Sequence, residues 1–371
     1  MSDERPPLKL MNPGPVTLSE RVRAALLGAD LCHREPEFAV LQAELRRRLE
    51  EVYPPSARDF TAVLLTGSGT AAVEAMVGSL VPRGGHALVA ANGVYGERMA
   101  AMLEAQGKTA HVARATWTEP MNLGLVEQFL SRERAISHVL AVHHETTTGR
   151  LNDIAALAAL CRRTGARLLL DCISSFGAEE IDFEGWGLEA CAGTANKCLH
   201  GVPGVSFVLA RRDALAAGRS GATSVYLDLF RHDAEQRRDS VAFTPAVQAC
   251  HALAEALREL ADEGGWRDRH ARYAGLTRQL FEGLRAQGVA PLLDGAAPSS
   301  VVLTAYRVPA GYDYASLHEH LKAAGFVIYA GQGRFDQEIF RLAVMGAIDA
   351  ADIARLLAAC AAFWSRRARV A

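Results

Sequence analysis

Paired cysteines are missing from this sequence: the seven cysteines, at positions 32, 161, 172, 191, 198, 250 and 360, include no C-x-x-C pair. Scattered thiols predict a reduced, cytoplasmic protein without a disulfide framework or a zinc site. The first residues also lack the basic and then apolar regions of a signal peptide, and no apolar run reaches membrane-spanning length. We therefore expect a soluble cytoplasmic protein with no membrane partner and no metal.

Excess charge of either sign is absent as well. Forty Lys and Arg residues stand against 42 Asp and Glu residues, which gives a formal charge of −2. Because a nearly neutral chain creates no strong overall field, nucleic acid is not an expected partner. Single cores stop growing near about 250–300 residues, so a chain of 371 residues predicts two lobes.

Short apolar runs alternate with helix-period segments through the first two-thirds of the chain. The predicted strands of this part are 62–65, 86–90, 111–113, 138–142, 167–170 and 205–209. The alternation predicts a large, doubly wound α/β domain with a mostly parallel sheet over residues 21–246, after an N-terminal segment 1–20. From residue 247, two long helical stretches and shorter strand-like pieces predict a smaller α+β domain that extends to residue 371.

Two residues suggest the chemistry. The apolar run 167–170 ends in Asp171, and a small-residue loop further on, 193–198, presents Lys197. A buried strand that delivers a carboxylate, followed by a loop lysine, suits pyridoxal phosphate, because the amine can bond to the cofactor while the carboxylate keeps the ring nitrogen protonated. A lone loop lysine is usually a solvated charge, and an Asp after a strand is often a helix cap, so the pair needs support from neighbouring loops.

Three further loops supply that support at the expected carboxyl edge of the sheet. Ser68, Gly69 and Thr70 follow a strand and open a helix, which predicts a phosphate cradle of backbone N–H groups and hydroxyls, although a plain helix cap would look similar. Tyr95 lies on the next strand-to-helix loop, where an aromatic ring can stack on a flat heterocycle. On the third loop, 143–149, the adjacent His143 and His144 point to opposite faces, so a metal site is not expected there, and hydroxyl donors to the cofactor ring or its phosphate are the better interpretation.

Together these motifs resemble the class V, fold-type I aminotransferases. The matching stretches are Thr66-Gly67-Ser68-Gly69-Thr70, Asn92-Gly93-Val94-Tyr95-Gly96, Glu145-Thr146-Thr147-Thr148-Gly149, Asp171-Cys172-Ile173-Ser174-Ser175 and Ala195-Asn196-Lys197-Cys198. The resemblance covers nearly the whole chain. It implies a pyridoxal-phosphate enzyme, and it is strongest to those members that move the amino group of 2-aminoethylphosphonate to pyruvate, giving phosphonoacetaldehyde and alanine.

The resemblance also implies roles for the matching positions. Lys197 would carry the cofactor covalently and act as the base, and Asp171 would pair with the ring nitrogen. Thr244 would reach the phosphate of a neighbouring subunit, which implies a homodimer with shared active sites, and Arg341 would grip the anionic end of the substrate. The other implied cofactor contacts are Ser68, Gly69, Thr70, Tyr95, Thr146, Ile173 and Asn196.

Three departures from that pattern keep a second activity open. The segment 32–38 resembles the His-Arg-x-x-Glu-Phe of alanine:glyoxylate and serine:pyruvate aminotransferases, Gly331-Gln332-Gly333 stands where a Gly-Lys pair is usual, and Val241 replaces an aromatic residue. An alanine:glyoxylate-type aminotransferase is therefore the alternative. A lyase or desulfurase that uses the same cofactor is less favoured, because Cys198 beside Lys197 is poorly placed to carry a persulfide on a mobile loop. A non-catalytic binding module on the same scaffold is less favoured as well, since Lys197 and Asp171 are both intact.

Overall fold

The computed structural model describes residues 8–54 and 56–367. Its strands are β1 (Lys9–Leu10), β2 (Phe60–Gly67), β3 (His86–Ala91), β4 (Thr109–Arg114), β5 (Ile136–Val142), β6 (His144–Glu145), β7 (Arg150–Leu151), β8 (Arg167–Asp171), β9 (Leu188–Thr194), β10 (Gly204–Arg211), β11 (Leu303–Arg307), β12 (Phe326–Val327), β13 (Tyr329–Ala330) and β14 (Ile339–Ala343). Its helices are α1 (Glu20–Ala25), α2 (Pro36–Glu51), α3 (Ser56–Asp59), α4 (Gly69–Leu80), α5 (Val94–Ala105), α6 (Leu123–Arg132), α7 (Ile154–Thr164), α8 (Arg212–Ala217), α9 (Leu229–Gln236), α10 (Val247–Asp262), α11 (Trp266–Ala286), α12 (Tyr314–Ala323) and α13 (Ala350–Arg367), with a 3₁₀ turn at Gly333–Phe335.

A seven-stranded sheet forms the centre of the molecule, with the strand order β2-β10-β9-β8-β5-β3-β4. Within it, β10 runs antiparallel to both neighbours, and the other pairs are parallel. Helices cover both faces, so the central strands carry buried apolar runs, such as Leu168, Leu169 and Leu170 of β8. The mostly parallel, doubly wound sheet predicted from the sequence is confirmed.

Local signals set the helices that lie beside this sheet. Helix α7 begins where the Asp153 carboxylate accepts a hydrogen bond from Ala156 N, and it ends at Gly165, whose φ of 74° is left-handed. Arg162 and Arg163 in its last turn face the negative end of the helix dipole. The sequence therefore fixes both ends of this crossover helix.

The C-terminal part builds a smaller sheet, β11-β14-β13, covered by α11, α12 and α13. Its core includes Met11 and Val16 from the N-terminal segment. Helix α10 packs instead with α2 against the large sheet, and its Leu253 and Leu257 belong to that core. The predicted division of the chain at residue 247 stays a prediction, and residues 1–7 and 368–371 of it lie outside the described residues.

Strand β9 is missing from the sequence prediction, which treated 193–198 as a loop. Gly193 and Thr194 are the last residues of this strand, so Lys197 follows a strand directly. Gly193 is required by packing, because a side chain there would overlap the ring of Phe207 on the neighbouring β10. Among the described helices, none is long and apolar enough to cross a membrane.

Candidate active site

The carboxyl ends of the parallel strands meet around a cavity of about 200 Å³. Ligands of open α/β sheets bind at this edge, where loops from several strands converge. The cavity brings together eight of the residues predicted from the sequence: Ser68, Gly69, Thr70, Tyr95, Asp171, Ile173, Asn196 and Lys197. Three others, Thr146, Thr244 and Arg341, do not line it.

Lys197 is held by a tight turn after β9. The turn is closed by hydrogen bonds from His200 N to Lys197 O, 2.9 Å, and from Gly201 N to Ala195 O, 2.8 Å. The Lys197 amine donates to Pro13 O, and a side chain at Gly14 would overlap the lysine. Burial lowers the pKa of this amine from 10.5 to about 8, so a fraction is neutral near physiological pH.

A salt-bridged arginine fixes the same turn from the small domain. Arg269 is 1% exposed and donates from Nη1 to Cys198 O at 2.7 Å. Glu263 accepts from its Nε and Nη2 at 2.9 and 2.7 Å, which satisfies the buried charge. The backbone next to Lys197 is therefore held by a residue that sequence reasoning missed.

Asp171 ends β8 as a buried carboxylate. Its Oδ1 accepts from Ile173 N at 2.9 Å, and burial is the main reason that the pKa of this carboxyl rises to about 6. The positive charges of Arg98 and Lys197 oppose that rise. A further cation bound in the cavity would lower the pKa of Asp171 again and keep it ionised at pH 7.

The first turn of α4 provides an anion site. Ser68 is the N-cap residue, yet its hydroxyl makes no capping hydrogen bond, and the first turn holds no acidic side chain. The helix N–H groups and the hydroxyls of Ser68 and Thr70 are thus available at the cavity wall. A side chain at Gly69 would lie 2.7 Å from Ile173 Cδ1, so the absence of a side chain there lets Ile173 pack closely against the start of α4.

Arg98 is a cavity residue that sequence reasoning missed. Its guanidinium carbon lies 4.8 Å from the centre of the Tyr95 ring, and its Nη1 donates to Thr70 Oγ1 at 3.4 Å. Arg98 follows Tyr95 by three residues on α5, so both side chains lie on one face of the helix. This spacing can be recognised in the sequence and could have indicated Arg98 as a site residue. Arg98 adds positive charge beside the α4 anion site.

His144 is the second missed residue in the cavity wall. Burial lowers the pKa of its imidazole to about 4, so the ring is neutral at pH 7. Because Nδ1 lies 3.2 Å from Ser174 O, a carbonyl acceptor, the proton belongs on Nδ1. Nε2 is then a buried acceptor, and among the described residues it has no hydrogen-bond partner.

Arg341 lies on β14, the middle strand of the small sheet, and is 2% exposed. Its Nε donates to Ala330 O at 2.8 Å and its Nη1 to Thr146 O at 3.2 Å. No carboxylate of residues 8–54 and 56–367 comes within salt-bridge distance of it. Its charge lowers the pKa of Lys197, which indicates that the two cations lie close to each other, and Thr146 contacts the guanidinium through its carbonyl.

Thr244 points away from this cavity. It is exposed and lines a separate groove together with Tyr226 and Phe243. Thr244 therefore contributes nothing to the site of its own chain, and its expected contact with a neighbouring subunit stays a prediction.

The comparisons with known proteins agree with this geometry. The sequence pattern of the family Aminotransferase class-V matches residues 30–340. The chain therefore belongs to the class V aminotransferases and is an aminotransferase enzyme.

Among similar proteins, the 2-aminoethylphosphonate–pyruvate transaminase of Aeromonas hydrophila is 40% identical over 97% of this chain and 96% of its own length. The enzyme of the same name from Klebsiella pneumoniae is 38% identical over 96% and 98%. Among solved structures, an alanine–glyoxylate aminotransferase from Nostoc sp. matches with a TM-score of 0.89 and 25% identity, over 98% of this chain and 96% of that chain. The predicted family and fold type are confirmed.

The lowered pKa of Lys197 predicts selective labelling of the cofactor-free protein. The chain has four lysines: Lys9, Lys108, Lys197 and Lys322. Since only the neutral amine reacts, labelling of Lys197 by an acylating reagent should reach half its maximal rate near pH 8, whereas an ordinary lysine titrates near ~10.4. Peptide mass spectrometry across pH measures this, with the exposed Lys322 as internal reference. Identical pH profiles for the two lysines would contradict the assignment.

Proposed function

We propose that this aminotransferase uses pyridoxal 5'-phosphate and moves the amino group of 2-aminoethylphosphonate, or a close analogue, to pyruvate. The observation that carries the proposal is the meeting of Lys197 and Asp171 in one cavity that also contains the α4 anion site. The names of the Aeromonas and Klebsiella relatives support the choice of donor and acceptor. Homodimeric assembly through Thr244 and a cytoplasmic location belong to the same proposal.

The residues of the cavity fit this cofactor in three ways. The hydroxyls of Ser68 and Thr70, free of capping bonds, suit a phosphate group. The buried Asp171 carboxylate suits a protonated ring nitrogen, and the unpartnered Nε2 of His144 can accept a hydrogen bond. Tyr95, backed by Arg98, offers a ring face for stacking. Ile173 and Asn196 complete the lining.

When bound, the cofactor draws electrons away from the substrate carbon that loses a proton. Lys197 takes that proton at Nζ, because its pKa of about 8 leaves part of the amine neutral. The negative charge of Asp171 would favour the protonated form of the ring nitrogen. Arg341 binds the anionic end of the donor, and the carbonyls of Ala330 and Thr146 fix the direction of its guanidinium.

A donor comparison tests the substrate. Purified enzyme supplied with pyruvate should form alanine from 2-aminoethylphosphonate, with a kcat/KM at least about tenfold above that of any other amine tested, since the donor must match both Lys197 and Arg341. Alanine is measured with alanine dehydrogenase, and the Lys197→Ala variant is the matched blank. The alternative, alanine:glyoxylate transamination, is supported by the 32–38 segment and by the Nostoc fold match. If the enzyme turns over alanine with glyoxylate but does not turn over 2-aminoethylphosphonate, the alternative replaces the proposed function.

A further inference from the structure

A second cavity, of about 170 Å³, lies between the hairpin formed by β6 and β7 and the small sheet. It shares no lining residue with the candidate active site. Gly149, with a φ of +82°, brings the hairpin against β11, because a side chain there would lie 2.8 Å from Leu303 O. Thr148 and Arg150 line the cavity from the hairpin, and Thr304 lines it from β11.

Two polar atoms of this cavity have no partner. Thr148 is 1% exposed, and its Oγ1 and the Nε of Arg150 are buried. Within the described chain neither atom makes a hydrogen bond, whereas the hydroxyl of Thr304, which also lines the cavity, interacts with that of Tyr306. Since buried polar groups are almost always hydrogen-bonded, two such atoms in one cavity indicate a missing partner.

The partner must be an acceptor. A guanidinium Nε–H can only donate, and the Thr148 hydroxyl can donate to the same ligand. Arg150 uses its Nη2 for Thr118 O at 2.5 Å, and no described carboxylate lies within salt-bridge distance of it. A positive, donor-rich wall selects an anionic oxygen. The opposite wall, with Phe281 and Pro291, is apolar and suits a short hydrocarbon.

We propose that this cavity binds a small oxyanion, a phosphate, phosphonate or carboxylate, whose oxygens accept hydrogen bonds from Arg150 Nε and from the hydroxyl of Thr148. The hairpin that would hold the anion also carries Thr146, whose carbonyl accepts from Arg341. On the other side, β11 pairs with β14, and Ala305 lies opposite Arg341. The anion therefore lies between the two elements that flank the substrate-binding arginine, without touching the candidate active site itself.

Inorganic phosphate, titrated calorimetrically into the cofactor-loaded enzyme, tests the site, since loading fills the α4 anion site. Loss of one charge-assisted hydrogen bond should weaken phosphate binding about tenfold or more in Thr148→Val and in Arg150→Met. Asp294 lines the cavity but is exposed. Asp294→Asn should instead strengthen binding, because it removes a like charge. A general loss of stability could only weaken phosphate binding. It therefore cannot explain weaker binding in the two hairpin variants together with stronger binding in Asp294→Asn.

The Arg341→Met variant distinguishes phosphate binding in this cavity from phosphate binding in the active site. The affinity of this cavity for phosphate should be unchanged in the variant. If Arg341→Met abolishes binding while Thr148→Val and Arg150→Met do not alter it, the phosphate sits in the active site and the proposal fails. Methylphosphonate and propionate as further probes distinguish phosphonate and carboxylate ligands. A crystal soaked in arsenate should show anomalous density beside Thr148 and Arg150, and ordered water alone at that position would overturn the proposal. Should a hairpin variant not fold, the gain in Asp294→Asn decides the question.

Discussion

Replacing Lys197 with alanine is expected to lower kcat for transamination by at least about 10³-fold, because under the proposed function the variant would lack both the attachment point for the cofactor and the general base. None of the other three lysines can replace it. Lys9 is paired with Asp352 at 2.8 Å, Lys108 donates to the carbonyls of Val81 and Gly221, and Lys322 is exposed on α12. Single-turnover and steady-state formation of alanine from pyruvate measure the loss.

The matched control is Lys322→Ala, which should keep full activity, since this side chain does not line the cavity. Covalent trapping of the cofactor gives a second readout, which does not depend on turnover. Borohydride treatment of the native, cofactor-loaded protein should fix the cofactor to the peptide that contains residue 197, and the Lys197→Ala protein should yield no such peptide. Native activity in Lys197→Ala, or a trapped cofactor on another lysine, would refute the role of Lys197.

The parallel sheet was predictable because its strands carry their own signal. Strands β5 and β8 contain the apolar runs 139–142 and 168–170 and are bounded by helical segments, and the residues that follow these runs were correctly expected at one edge. The loops after β2, β3, β8 and β9 do converge on one cavity. The roles of the residues on those loops stay predictions, although their meeting place follows from the topology alone.

Strand β9 shows where such reasoning stops. Its sequence, Leu-Glu-Ala-Cys-Ala-Gly-Thr, consists mainly of small residues with little preference for strands. The strand exists because both of its neighbours in the sheet, β8 and β10, supply hydrogen bonds and because Phe207 fills the space beside Gly193. Those partners lie outside the strand itself, so no pattern within β9 could reveal them.

The side chains missed in the site have a similar explanation. His144 appeared as one of two adjacent histidines, and only the contact with Ser174 O shows which ring nitrogen is left as an acceptor. Arg269 is one arginine among many on polar helices until its 2.7 Å contact with Cys198 O is seen. Hydrogen bonds between residues far apart in sequence depend on tertiary packing, and this packing cannot be read from a single sequence.

Arg341 carries a buried charge without a carboxylate partner among the described residues, which is energetically unfavourable. From sequence alone, an arginine on a strand is most often an exposed partner in a surface ion pair. Here it is 2% exposed, with two carbonyl acceptors and no described carboxylate at salt-bridge distance. Burial lowers the pKa of this guanidinium, which is the expected cost of a buried charge that lacks a counterion. A charge kept at that cost is best explained by an anion that binds to it during function.

Arg341→Met is therefore expected to reduce kcat/KM for 2-aminoethylphosphonate by about 10²- to 10³-fold, the range seen when one partner of a buried charge pair is removed. The loss should appear mainly in KM, because the contact holds the donor rather than the reacting carbon. Ethylamine, which has no anionic end, should react equally slowly with the native protein and with the variant. The ratio of kcat/KM for the two donors, measured in single-turnover reactions, isolates the contribution of the guanidinium.

Stability gives the independent check. Removing Arg341 leaves Ala330 O and Thr146 O without a donor, at about 1–3 kcal/mol each, but it also removes an unpaired buried charge whose desolvation costs several kcal/mol. These effects oppose each other, so the unfolding midpoint in urea should change little while donor selectivity collapses. Arg341→Lys keeps the charge but loses the forked donor geometry. Its donor selectivity should therefore lie between that of the native protein and that of Arg341→Met. Equal loss of kcat/KM for both donors in Arg341→Met would show that Arg341 only supports the fold, since a support residue cannot distinguish an anionic donor from a neutral one.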